Sequence, residues 1–320
     1  VKIVLRSETS PPPRLRKPLL GLALGSGGLR GAAHIGVLQV LEQNGIRPDL
    51  VAGTSAGSVI GGLYACGLGP AELEEVFVGL GGKDLYDYDV SVRNILKMAA
   101  AAACDFLHLP FGPLLDAPLG LVRGVKLERL LASQTSGRSF DELLLPLAVI
   151  ATDVQTGDTV AFLPRESIPV ATQPRTVYVT DATVSEAVRA SSAIPGVFEP
   201  KEIGGRVCVD GGLKESVPAG ILKAMGADIV LAVDLGFSGQ KAERIDDIVE
   251  ILTQSVDIMG EEITDLKLEQ YADVVIKPRI YDVGLTDTAK IPDCIKKGAE
   301  ATVRALPRIH EVLSRRLKAG

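Results

Sequence analysis

The stretch Leu50-Val51-Ala52-Gly53-Thr54-Ser55-Ala56-Gly57 decides how this chain is read. A short apolar run meets a G-x-S-x-G pentapeptide, and a helix-like run through Cys66 follows at once. That order can force a serine onto a sharp strand-to-helix turn, where its hydroxyl is offered to a substrate. Gly53 and Gly57 permit close backbone approach where a side chain would clash. The structural alternative is that Thr54 or Ser55 only N-caps the following helix. The pentapeptide alone leaves both open, and its context has to decide.

Moving outward, residues 19–24 read as a buried strand ending in Gly25-Ser26-Gly27-Gly28. Ile35, Leu38 and Leu41 then recur at helical spacing until Gly45. A further helix starts at Gly69-Pro70 and runs to about Leu80. Strand, helix, strand, helix is the opening of a parallel sheet with crossover helices. Later strands are expected at 147–152 and 159–163, paired around Thr156-Gly157-Asp158, and at 175–179, 206–209, 229–234 and 274–276. Helices are expected at 184–189, 245–269 and 294–317. The expectation is a three-layer α/β/α protein with a mainly parallel sheet: one domain over 19–320 behind a loose arm, 1–18. Periodicity fades from 81 to 124. That segment reads as a helical excursion on the core, with a mobile apolar lid as the functional alternative.

Bulk properties narrow the classes. At 320 residues, 46% hydrophobic, the chain can bury a substantial core. A net charge of −6 without a basic run argues against a nucleic-acid surface, as does the absence of tryptophan. Cys66, Cys104, Cys208 and Cys294 are scattered without metal-ligand spacing and read as buried, reduced thiols of an intracellular protein. The first 18 residues lack the apolar core of a secretory signal. Residues 95–122 are lipophilic, but Lys97, Asp105, Asp116 and three prolines rule out a spanning helix. A cytoplasmic chain is expected, with peripheral membrane contact through 106–121 as a further expectation.

Gly25-Ser26-Gly27-Gly28-Leu29-Arg30-Gly31 is not a dinucleotide fingerprint, because Arg30 stands where the third glycine belongs. Nor is it a Walker A loop. Its other use is to aim N–H groups of a helix start at a developing oxyanion. If the first two strands are neighbours, this loop and Ser55 share one carboxyl edge of the sheet. A serine nucleophile also needs a base. Of the three histidines, His34 reads as a packing residue, His108 lies in the irregular stretch and His310 sits on a solvated helix face. Asp210 is the better candidate, ending the apolar strand Val207-Cys208-Val209 before Gly211-Gly212. On its own it would read as a turn aspartate. Burial beside an apolar site strengthens a carboxylate as a base.

Together these residues resemble the patatin-like phospholipase family. The matches are Gly27-Gly28-Leu29-Arg30-Gly31, Gly53 to Gly57, and Asp210-Gly211-Gly212. Ala190-Ser191-Ser192-Ala193-Ile194-Pro195-Gly196-Val197-Phe198 is similar to another family block, and Ala151-Thr152-Asp153 to a third. The resemblance implies a Ser55–Asp210 dyad with Gly27 and Gly28 as oxyanion donors, and Arg30 bracing the loop or, alternatively, meeting lipid phosphate. Gly25, Ser26, Leu29, Gly31, Gly53, Gly57, Gly211 and Gly212 would support them. It further implies hydrolysis of acyl-lipid esters through an acyl-enzyme, with no metal or cofactor. Acyl transfer, or an idle lipid- or partner-binding role, are the alternatives. One departure is Ser26, where the family usually has the first of three glycines.

Overall fold

The computed structural model describes residues 17–79, 119–236, 248–280, 283–284 and 287–319, with Gly81, Asp87, Lys97, Ala100 and Cys104. β1 (Leu20–Leu24) leads through a 3₁₀ turn, Gly28–Ala32, into α1 (Ala33–Gln43). β2 (Leu50–Thr54), α2 (Ala56–Ala65) and α3 (Pro70–Gly79) follow. Next come β3 (Gly120–Val122), α4 (Val125–Thr135), β4 (Leu147–Asp153), β5 (Thr159–Phe162) and β6 (Thr176–Val179). α5 (Val184–Ser191) precedes β7 (Gly196–Phe198), β8 (Lys201–Ile203) and β9 (Arg206–Asp210). The chain closes with α6 (Ala219–Ala224), β10 (Ile229–Val233), α7 (Ile248–Tyr271), β11 (Val274–Ile276) and α8 (Ile291–Ala319).

The main sheet runs β11-β10-β1-β2-β4-β5-β6, with β9 on β4 and β8 on β9. β11, β10, β1, β2 and β4 pair in parallel, as do β5 and β6, whereas β4–β5, β4–β9 and β8–β9 are antiparallel. The sheet is therefore mixed and mostly parallel, as expected. Its central strands are near-continuous apolar runs because both faces are covered. Alternate residues serve the two faces. Leu22, Leu24, Val51 and Val149 join the core of α1, α2 and α5, while Ala23, Ala52, Ala148 and Ile150 meet α6 and Leu268 of α7. α8 crosses α1 so closely that a Cβ on Gly36 would stand 1.9 Å from the Ile295 carbonyl oxygen.

The expected β1, β2, β4–β5 hairpin, β10, β11 and long helices are present within a few residues. β3, β7, β8, α4 and α6 were not expected. β3 and β7 form a separate parallel pair beside the main sheet. Most of 81–124, including the lid reading and the apolar 106–118, lies outside the described residues. Cys66, Cys208 and Cys294 are buried and all four cysteines are free, but Cys104 is only partly buried, contrary to expectation.

Candidate active site

The turn between β2 and α2 holds Ser55 at φ 52, ψ −122, a backbone region rarely used by side-chain-bearing residues. It persists because its surroundings leave no alternative. A Cβ on Gly57 would stand 2.0 Å from the Leu24 carbonyl oxygen, so only glycine lets α2 start against β1. Ser55 occupies the N-cap position, yet its side chain makes no capping bond. Thr54 does not cap either: its hydroxyl donates to the Glu215 carbonyl at 2.7 Å. The elbow is tied from behind. The Ser55 N–H donates to Ser191 Oγ at 2.8 Å, and that hydroxyl donates to the Ile150 carbonyl at 2.6 Å.

The glycine loop is held by its carbonyls and its first amides. Gly25 N–H donates to Val233 O and Ser26 N–H to Ser216 O, and the Ser26 and Ser216 hydroxyls meet at 2.7 Å. The Ser26 amide is thus occupied. His34 Nε2 lies 2.8 Å from the Gly25 carbonyl, and Arg30 donates to the Gly27 carbonyl from both its N–H and its Nε. Arg30 therefore braces the loop. The N–H groups of Gly27 and Gly28 have no acceptor among the described residues, as the start of a helical turn leaves them. Gly28 sits at φ 54, in the left-handed region that favours glycine.

Register brings Asp210 to the elbow. β2 occupies one edge of β4, with Thr54 opposite Ile150, and β5 occupies the other over Val149 to Thr152. A strand has two edges, so β9, with Asp210 opposite Ala151, must continue along the edge that β2 leaves. β2 and β9 meet end to end, and a Cβ on Gly211 would lie 3.0 Å from Thr54 Cγ2. Asp210 is buried; its Oδ1 accepts the Gly212 N–H at 2.7 Å and its own N–H donates to Ala193 O. The Arg206–Asp153 ion pair at 2.9 Å ties β9 to β4 one turn of the ladder away.

Beside Ser55 opens a cleft with an almost wholly apolar wall, including Val59, Leu63, Phe77, Leu127, Ile194 and Phe198. Ser55 and Gly28 line it. No histidine does. Burial pushes the His34 imidazole down to about 4, so it is neutral at pH 7 and Nε2–H donates to Gly25. His310 is exposed on α8, and His108 lies outside the described residues. Two groups escaped the sequence reading: Ser191, whose hydroxyl holds the elbow, and Ser216, which anchors the glycine loop. Ser191 lay in a recognised block, but nothing in a sequence says which backbone N–H a buried hydroxyl will accept from.

A strained serine on a strand-to-helix elbow, beside glycine amides without an acceptor among the described residues and a third strand ending in a carboxylate, defines an α/β protein with a mostly parallel sheet and a serine elbow at its edge. The chain belongs to the patatin-like phospholipase family, whose profile matches residues 22–223. It is 31% identical over 221 residues to an uncharacterized NTE family protein of Mycobacterium tuberculosis, covering 69% of this chain and 50% of that one. It is 27% identical over 281 residues to patatin-like phospholipase domain-containing protein 6 of Homo sapiens, covering 84% of this chain and 17% of that protein. Lysophospholipase NTE1 of Mycosarcoma maydis is 31% identical over 217 residues, 68% of this chain and 10% of the fungal protein. The chain thus spans about half the length of its mycobacterial relatives and much less of the others. Among solved structures, VipD from Legionella pneumophila superposes with a TM-score of 0.51 at 16% identity, covering 91% of this chain and 67% of that one. Among the described residues no helix is long and apolar enough to cross a membrane.

Proposed function

We propose that the chain hydrolyses acyl-lipid esters through a Ser55–Asp210 dyad. The observation that carries this reading is the end-to-end meeting of β2 and β9, which brings a strained serine and a buried carboxylate to one point on β4. Ser55 Oγ attacks the ester carbonyl while Asp210 takes its proton. The unpaired Gly27 and Gly28 amides receive the negative charge that forms on the carbonyl oxygen. The alcohol leaves with that proton, and an acyl-serine remains. Asp210 then removes a proton from water, which releases the carboxylic acid and restores Ser55. Family membership and the lysophospholipase name of one relative support a lipid ester as substrate.

A panel of phospholipids, lysophospholipids and short-chain esters assayed with the parent, Ser55→Ala and Asp210→Asn tests the reading. Both variants should lose at least a thousandfold in kcat, and a fluorophosphonate probe should label the parent but not Ser55→Ala. Activity surviving in either variant would sink the dyad. Product analysis with added lysolipid distinguishes hydrolysis from acyl transfer.

A further inference from the structure

The cleft beside Ser55 lies between two helices that run in the same direction. α2 leaves the elbow at Ala56 and ends at Ala65. α4 begins after Gly124, whose backbone packs against the buried Arg189 near the top of α5. Past its far end, Arg138 Nη1 donates to the Cys66 carbonyl at 2.7 Å, closing the gap to the end of α2. α5 runs the opposite way, from Val184, whose N–H donates to the Arg138 carbonyl, up to Ser191 behind the elbow. These tethers orient the cleft. Its near end is Ser55 with Ser192 and Phe198, and its far end is Leu63 with Gln134.

The floor of this trough is one stripe of α2. Ala56, Val59 and Leu63 stand at i, i+3 and i+7 and all face the cleft, opposed by Leu127, Leu131 and Gln134 at matching spacing on α4. At about 1.5 Å of rise per residue, Ala56 to Leu63 spans about 10 Å, the reach of an extended chain of roughly eight carbons. Leu63 and Leu131 are each only 2% exposed, so the far end is filled rather than open. Asp210 does not line the trough. It lies near Gly212 and the polar Ser26–Ser216 pair, outside the apolar trough.

We propose that the α2–α4 trough takes the acyl chain and measures it, with Val59 and Leu63 as the residues that set the preferred length. The proposal rests on the ester-hydrolase reading above. Every methylene lying along the stripe leaves water, which is worth up to about fourfold in kcat/KM. A chain longer than roughly eight to ten carbons meets the filled end at Leu63 and gains no more apolar contact there.

The test is a p-nitrophenyl ester series from butanoate to palmitate, held below micelle-forming concentrations. It is read as the ratio of each kcat/KM to that of butanoate, for the parent, Val59→Phe, Leu63→Ala and, as a control, Ser55→Ala. Circular dichroism and thermal melts confirm that the variants fold, and Val59→Leu is the milder arm should Val59→Phe fail to. The parent ratio should climb to about C8–C10 and level off. Val59 lies about one turn from Ser55, so blocking it should bring the plateau down to about four to six carbons. Leu63→Ala should move it up by one to three. General destabilisation would lower all rates together and could not shift the plateau in opposite directions. Ser55-dependent hydrolysis with the same profile in parent and variants would overturn the ruler while leaving the hydrolase reading intact. Absence of Ser55-dependent hydrolysis at every length would overturn both.

Discussion

The backbone N–H of Ser55 donates to the hydroxyl of Ser191, 136 residues later in the chain, at 2.8 Å, and that hydroxyl donates in turn to the Ile150 carbonyl at 2.6 Å. One buried side chain thereby links the elbow, the end of α5 and β4. Removing it strands a buried donor and a buried acceptor, each worth about 1–3 kcal/mol. Ser191→Ala should therefore cost about 2–5 kcal/mol of stability. Because Ser191 holds the backbone of Ser55 and does not line the cleft, the proposed hydrolysis should lose tenfold or more in kcat with KM little changed. Ser191→Thr, which keeps the hydroxyl, should recover part of both. A rise in KM at constant kcat would point to the cleft wall instead.

The strain at Ser55 is separable from its chemistry. A residue with a Cβ at φ 52, ψ −122 carries about 1–3 kcal/mol of backbone strain that glycine does not. Ser55→Gly should raise the unfolding free energy by about 1–2 kcal/mol in urea titrations while abolishing ester hydrolysis. Ser55→Ala keeps the Cβ and should show the second effect without the first. Equal stability in the two variants would mean that the elbow is relaxed.

The central strands and both glycine loops were legible because parallel, doubly covered strands are continuous apolar runs bounded by turn residues. Ser55 and Asp210 stood out only through the family resemblance of their loops taken together, since each alone also reads as a helix cap or a turn residue. The end-to-end placement of β2 and β9 was not legible, since it depends on β9 taking the remaining edge of β4, a choice encoded in no local pattern. β3, β7 and β8 are three residues each, too short to show a period. α4 was different. Leu127, Leu130, Leu131 and Gln134 carry helical spacing, but they directly follow the aperiodic segment that ends at Gly124. The wall of the cleft was hidden with them.

Arg189 is 2% exposed, with its guanidinium 5.3 Å above the centre of the Phe198 ring and its Nη2 donating to the carbonyls of Arg123 and Glu199, each at 2.7 Å. Burial lowers its pKa, and Glu128, Asp87 and Glu199 oppose that shift. The two carbonyls follow β3 and β7, so one side chain clamps the small sheet that carries Val197 and Phe198 into the cleft. A lysine offers a single point of charge where the guanidinium forks. Arg189→Lys should cost about 3 kcal/mol and lower hydrolysis of long-chain esters more than short ones. A uniform loss across chain lengths would separate the clamp from the cleft.

His34 gives the protein an acid-sensitive element at the base of the glycine loop. Buried in α1, it donates from Nε2 to the Gly25 carbonyl, while Nδ1 has no hydrogen-bond partner to stabilise a second proton. Its pKa falls from an ordinary 6.5 to about 4. Between those values the unfolded chain binds a proton that the folded chain refuses, so acidification favours unfolding. The stabilisation is fully present above pH 6.5 and is lost as pH falls toward 4, amounting to about 3 kcal/mol over the whole window. Urea unfolding of the parent between pH 7 and 4.5 should show this slope in addition to that from carboxylates. His34→Gln should be less stable than the parent at pH 7, and the gap should narrow steadily on acidification. A gap that stayed constant with pH would mean that His34 takes up its proton equally in the folded and unfolded chain.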